Sequence, residues 1–253
     1  MDEKINVDFG GWIQKGFDIW KGNALTLIVS GVIVWFVGII APTAVIHLIF
    51  RGMLLRHPHI YGILTSLIGI IPNVLLAGPL MYAFTKMVLA LHDKTEPKPQ
   101  IGDIFQGFAE LKTAGLYFLI SGVVSFVLVI IGQVTCVGTL IEFVAMIAFV
   151  TLTMFGLYFL VDKQLAVIDA YKASIDLVKR SFFPFFGLMI VSGLISIIGV
   201  IGCIVGIFAT LPIGMCIIAT AYRAATRGET PAPPAPQTPA VPEPPVAPPP
   251  AAA

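Results

Sequence analysis

Apolar residues dominate six long stretches of the chain, and nearly all charged residues lie outside these stretches. A helix needs about 20 apolar residues to cross the hydrocarbon core of a bilayer. The pattern therefore predicts an all-α fold, a polytopic membrane bundle of six transmembrane helices. The predicted spans are residues 24–50, 60–91, 114–131, 140–161, 185–201 and 203–222.

Prolines interrupt three of these runs. Proline has no backbone N–H group, so we expect the first span to kink or end at Pro42. Gly78-Pro79 in the second span and Pro212 in the sixth lie at comparable points of their hairpins. Broken helices at matched points can mark a binding site, because their freed carbonyl groups coordinate a ligand. Kinks that neighbouring helices stabilise are the alternative interpretation.

Three shorter stretches show the three-and-four spacing of an amphipathic helix: residues 9–20, 101–111 and 162–181. Aromatic residues share one face of the first, which predicts a helix lying along the membrane surface. In the third, apolar residues follow one face and charged residues the other, and Pro184 is expected to mark its end.

One unit occurs more than once in the chain. Residues 16–33 and 107–124 align without a gap at an offset of 91, with 7 of 18 positions identical. A weaker third copy begins at Ser174 and continues to Val191-Ser192-Gly193. We therefore predict three parallel hairpin repeats, at about 9–92, 101–161 and 163–224, each an interfacial helix followed by two spans. The first repeat carries an insertion within residues 42–60.

Charge placement predicts the orientation. With both termini inside the cell, 13 of the 15 Lys and Arg residues lie on the cytoplasmic side, and only Arg51 and Arg56 lie outside. This bias follows the positive-inside rule. We expect a multi-pass protein of the cell membrane whose N- and C-termini and amphipathic helices are cytoplasmic.

Composition supports this class and divides the chain into three parts. The 253 residues are 57% hydrophobic and 11% charged, with a mean hydropathy of +0.95. A net charge of +1 provides no basic field for nucleic acid. Residues 1–23 form an amphipathic N-terminal segment and residues 24–228 the six-span domain. Residues 229–253 hold 11 of the 19 prolines and predict a disordered, polyproline-rich cytoplasmic tail.

The candidate polar site in the membrane centres on Glu142, the one acidic residue within the predicted spans. An ionised carboxylate at membrane depth is costly, so we expect it to face the bundle and to pair with Arg51 or Arg56. Asn73 and Gln133 add hydrogen-bonding capacity. An ion or proton site is one interpretation, and a carboxylate that reaches water at the outer interface is the other.

Cysteines and lysines suggest two further sites. Cys136 and Cys203 occupy corresponding outer turns, where a disulfide could form if that side is oxidising, and small turn residues are the alternative. Lys172, Lys179 and Arg180 are candidate contacts for anionic lipid. The sequence contains none of the common motifs of hydrolases, nucleotide-binding proteins or metalloenzymes, so we expect neither catalysis nor a cofactor or bound metal.

Several motifs together resemble a known family. They are GPLMYAF at residues 78–84, DIFQGF at 103–108, and IDAYKASIDLVKRSFFPFF at 168–186, followed by GVIGCIVG and LPIG. Over residues 10–227 the chain resembles prokaryotic integral membrane proteins of unknown function related to the membrane domain of glycerophosphoryl diester phosphodiesterases. In that enzyme a separate soluble barrel performs catalysis, so the resemblance implies neither an activity nor catalytic residues here.

The pattern favours a non-enzymatic scaffold or assembly factor, bound to the lipid bilayer and recruiting a protein partner through its proline-rich tail. A transporter or channel subunit for an ion or small solute is the main alternative, and a lipid-binding protein is the third. The sequence favours no particular oligomeric state.

Overall fold

The computed structural model describes residues 8–134, 137–201 and 204–226, and every regular element within them is helical. A 3-10 helix, Ile101–Glu110, leads directly into the fourth α-helix. The helices, in chain order, are α1 Phe9–Gly22, α2 Ala24–Leu54, α3 Pro58–His92, α4 Leu111–Val134, α5 Gly138–Asp162, α6 Val167–Arg180, α7 Phe182–Ile201 and α8 Ile204–Thr226.

Most of these helices have the length and composition of membrane spans. Five segments of the described chain are long and apolar enough to cross a membrane: Ala24–Leu54, Pro58–His92, Ile101–Gln133, Gly138–Asp162 and Phe208–Thr226. The number becomes six if α6 and α7, which are bent by 105° relative to each other, form one span. The predicted all-helical membrane class is confirmed at this level.

The prolines of α2 and α3 change the hydrogen-bonding register without ending either helix. Ala41 N–H donates to the carbonyl of Phe36, and Gly78 N–H donates to that of Asn73, each five residues back. Pro42 and Pro79 have no backbone N–H group to donate to the carbonyl four residues back. The π-helical turns that precede them accommodate their rings. The first span therefore continues through Pro42 to Leu54 instead of ending there.

Three pairs of consecutive long helices are in contact, α2 with α3, α4 with α5, and α7 with α8, and α3 also packs extensively on α4. Each of the three short helices packs on the second member of one pair: α1 on α8, the 3-10 helix on α3, and α6 on α5. A Cβ atom at Gly16 would lie 2.7 Å from the Cα atom of Ile217, so α1 can approach α8 this closely only with glycine. On α6, Ser174 Oγ donates to the carbonyl of Leu152 at 2.8 Å.

A core of aromatic residues fills the bundle at the end where α3, α5 and α8 finish. The indole of Trp12 stacks on Phe185 with ring centroids 6.1 Å apart. The buried hydroxyl of Tyr158 donates to the carbonyl of Met215 at 2.9 Å, which ties α5 to α8. The largest fully buried side chains include Tyr158, Tyr222, Phe84, Phe155 and Phe185.

Two local predictions differ from the structure. The stretch predicted as an amphipathic helix over residues 101–111 is a 3-10 helix, and a capping box between Gln100 and Asp103 fixes its first turn. The helix expected to end at Pro184 ends at Arg180, and Pro184 lies in the first turn of α7. Proline is tolerated there because the first-turn N–H groups have no acceptor within the helix.

Candidate functional site

An ionic cluster joins the ends of α3, α5 and α8. Arg223 donates through Nη1 to Asp162 Oδ1 at 2.6 Å and through Nη2 to Asp93 Oδ2 at 2.5 Å. Tyr222 donates its hydroxyl proton to Asp162 Oδ2 at 2.8 Å. His92 Nδ1 lies 2.9 Å from Asp93 Oδ1. We call the end of the bundle that holds these five residues the charged end.

The cluster is a structural tie between the second helices of the three pairs. Asp162 and Arg223 are largely shielded, with side chains 15% and 22% exposed. A guanidinium group that contacts two carboxylates has two of its donor nitrogens satisfied by charged acceptors. The sequence interpretation missed these contacts, although a charged residue stands at the end of every second span.

A second feature, which we call the lateral cleft, lies between the apolar parts of α3 and α4, at residues 65–73 and 118–129. Its volume is about 450 Å³. The cleft is unusually polar for its depth, because serine, threonine, asparagine and histidine line it with apolar neighbours. Its polar lining residues are His47, Thr65, Ser66, Asn73, Ser121 and Ser125.

Several of the polar groups in the lateral cleft are available to a ligand. Thr65 donates its hydroxyl proton to the carbonyl of Tyr61 at 2.8 Å, as hydroxyls in apolar helices commonly do. By contrast, the side chains of Ser66, Asn73 and Ser125 make no hydrogen bond to any residue within 8–134, 137–201 and 204–226. A polar group at membrane depth is costly unless it finds a partner.

The wall of the lateral cleft is fixed by a short polar chain from α6. The hydroxyls of Ser121 and Tyr171 are in contact, and Tyr171 donates to the carbonyl of Tyr117 at 2.9 Å. The rings of Tyr117 and Tyr171 stack with centroids 4.4 Å apart. Ser121 therefore has its partners within the protein, and Ser66, Asn73 and Ser125 define the open polar surface.

The structure does not bring the five predicted polar-site residues together. Asn73 lies in the lateral cleft, and Gln133 Oε1 lies 2.8 Å from His59 Nδ1 at the other end of α3. Glu142 packs against Gly132. Arg51 and Arg56 are exposed, and the described part of the chain contains no salt bridge from either to Glu142.

The three predicted helix-break residues all lie in close contact with neighbouring helices or are buried. A Cβ atom at Gly78 would lie 3.2 Å from the carbonyl oxygen of Ala114, so this glycine lets α3 approach α4. Pro79 is buried, and Pro212 packs against Gly31 of α2. The predicted partners of a disulfide, Cys136 and Cys203, lie outside the described residues.

The predicted lipid contacts lie on the exposed face of α6. Lys172, Lys179 and Arg180 are all exposed, and Lys172 Nζ lies 3.9 Å from Asp169. No group of three or more metal-binding side chains occurs among the described residues. Comparison of this chain with protein-family models, curated proteins and solved structures finds no match.

Proposed function

We propose that this protein binds an uncharged amphiphile in the lateral cleft and acts in the handling or transport of that molecule, without catalysis. The observation that carries the proposal is the set of unpartnered polar side chains, Ser66, Asn73 and Ser125, in a cleft at membrane depth. Hydroxyl and amide groups favour a ligand with hydroxyl, carbonyl or amide groups of its own. Only His47 among the lining residues can carry a charge, which favours an uncharged ligand over an ion.

The packing at the charged end supports binding over free conduction. Tyr158, Phe159 and Tyr222 pack there around the ionic cluster, with the rings of Phe159 and Tyr222 at 5.1 Å. Large apolar rings in contact leave little room for a continuous polar path. Access to the lateral cleft from the bilayer is the simpler route, because α3 has no buried residue between Pro58 and Pro72.

The test is mass spectrometry of molecules that remain bound after gentle purification from native membranes. A Ser66→Leu substitution fills the lateral cleft and removes a hydroxyl, and Leu67→Phe adds bulk at the adjacent exposed position as a matched control. We expect one retained amphiphile in the unmodified protein and in Leu67→Phe, and at least a ten-fold loss in Ser66→Leu. Equal retention by both variants, at equal thermal stability, would contradict the proposal.

The three-repeat architecture with cytoplasmic termini is part of the same proposal. It is supported by Gly16, Gly107 and Ser174, which the sequence aligns and which all lie where a short helix contacts the second helix of a pair. The positive-inside bias supports a cytoplasmic charged end. The resemblance to membrane domains of glycerophosphoryl diester phosphodiesterases stays a prediction.

The scaffold hypothesis rests on the tail, residues 229–253, which lies outside the described residues. We retain it as a second proposal because 11 prolines in this segment favour polyproline II, the conformation that aromatic grooves recognise. Truncation after Gly228 should remove a stoichiometric protein partner and leave membrane insertion intact. An unchanged partner set after truncation would contradict recruitment by the tail.

A further inference from the structure

We propose a second binding site, for the phosphate of an anionic phospholipid, in the cleft between α1 and the end of α3. This basic cleft has a volume of about 650 Å³. It lies where two apolar helices end, since α2 begins just after Asn23 and α3 finishes at His92. In a spanning helix that boundary is the depth of the lipid head groups.

The charges that line the basic cleft favour an anion. Lys15, Lys94 and Lys98 face Asp18 and Glu96, three cationic groups against two carboxylates. Lys94 has a φ of 55°, in the left-handed region that residues with a side chain seldom adopt. This conformation reverses the chain after α3 and brings Lys94 to the cleft.

The positive end of α2 lies beside the basic cleft. Asn23 precedes this helix and caps it with no side-chain hydrogen bond, because its amide group donates to the carbonyl of Ile19 at 2.9 Å. The first N–H groups of an α-helix have no acceptor within the helix and lie at its positive end. Phosphate groups bind at such ends. Gly22 and Asn23 both line the basic cleft.

His92 supplies an independent indication of a ligand. Its side chain is 5% exposed and lines the basic cleft. Nδ1 is satisfied by Asp93, while Nε2 is buried with no hydrogen-bond partner in the described part of the chain. With Nδ1 protonated toward Asp93, a neutral ring leaves an acceptor lone pair on Nε2. A head-group hydroxyl can donate to it, while the phosphate contacts the lysines.

The experiment measures binding of phosphatidylglycerol to the detergent-solubilised full chain by native mass spectrometry. The test variant is Lys15→Gln with Lys98→Gln. The matched control is Lys86→Gln with Lys112→Gln, which removes the same charge from exposed positions outside the basic cleft. Each basic residue near an anionic lipid contributes about 1 kcal/mol. We therefore expect at least a ten-fold weaker dissociation constant for the test variant and less than a two-fold change for the control.

Two outcomes would overturn this proposal. Equal weakening in both double variants would show general electrostatic attraction instead of a site. Binding of soluble glycerol 3-phosphate with the same dependence on Lys15 and Lys98, and none of phosphatidylglycerol, would assign the phosphate to a soluble molecule. Thermal midpoints of the two variants within a degree of each other would show that folding does not explain the difference. The site is independent of the lateral cleft, so either proposal can fail alone.

Discussion

The two halves of α3 form one apolar run but have opposite surroundings. Eleven of the 15 residues of Gly78–His92 are buried. The preceding helical turns, Pro58–Pro72, contain no buried residue, and Leu67 and Ile71 are 47% and 59% exposed. A bilayer solvates such exposed apolar side chains, so apolarity marks a membrane helix but does not say which of its faces contact protein.

The size and polarity of the side chains distinguish the exposed half of α3 from the buried half better than their apolar character does. The buried half places small residues, Gly78 and Ala83, beside the large Tyr82 and Phe84, which lets the 3-10 helix and α4 approach closely. The exposed half carries its polar residues, Thr65 and Ser66, toward the lateral cleft. The first half therefore borders the lateral cleft, and the second half belongs to the core.

The largest expected effect comes from breaking the ionic cluster at the buried end of α3. Arg223→Ala leaves the shielded carboxylate of Asp162 unpaired, which costs about 3 kcal/mol or more. Arg51 is an exposed arginine near the end of α2, at the opposite end of the α2–α3 pair. Arg51→Ala should change the free energy of unfolding by less than about 0.5 kcal/mol. The midpoint of unfolding in mixed detergent–SDS micelles measures both. Similar midpoints would show that the cluster is not a structural tie.

A cavity in the buried half of α3 should have the next largest effect. Phe84 is fully buried. Its ring packs edge-to-face on the indole of Trp35, with the two ring centroids 5.5 Å apart. Phe84→Ala should cost about 3 kcal/mol through lost packing. The same unfolding measurement on Leu67→Ala, in the exposed half, should show a loss below about 1 kcal/mol, because lipid replaces the missing contacts. Comparable losses would remove the distinction between the halves.

Glycine substitutions in the two halves of α3 should have smaller but still different effects on stability. A Cβ atom at Gly78 would lie 3.2 Å from the Ala114 carbonyl oxygen, whereas Gly69 has nothing within 4 Å. Gly78→Val should therefore destabilise the bundle by about 1–3 kcal/mol through overpacking. Gly69→Val should be close to neutral. The experiment compares the thermal midpoints of the two variants, and a larger loss at Gly69 would contradict the described packing of α3 on α4.

The sequence predicted the approximate positions of the long helices because each apolar run is long and is separated from the next by a charged segment or a short turn. The ionic cluster was not predictable, since Asp93, Asp162 and Arg223 are up to 130 residues apart and resemble ordinary loop charges. The lateral cleft was missed for a related reason. Ser66 and Ser125 are single polar residues on two separate helices, and only packing of α3 against α4 makes them neighbours of Asn73.

The expectation that Pro42 would kink or end the first span considered only the backbone donor that proline lacks. Pro42 removes one backbone donor, but a shift to i−5 bonding at Ala41 absorbs that loss within α2. Gly78 makes the same adjustment before Pro79. Glu142 attracted attention because it is the one carboxylate within the predicted spans, and it was expected to pair with Arg51 or Arg56. Among the described residues, neither arginine forms a salt bridge with it.

The most direct test of the lateral cleft is the reaction of engineered thiols with N-ethylmaleimide, a small uncharged reagent that can reach the cleft from the bilayer. Ser66→Cys and Leu67→Cys are compared after Cys136, Cys203 and Cys216 are replaced by serine. The thiolate is the reactive form and requires a polar environment. We expect labelling of Ser66→Cys at least ten-fold faster than that of Leu67→Cys. Equal rates would mean that both positions face the same surroundings, and would contradict a polar binding site between α3 and α4.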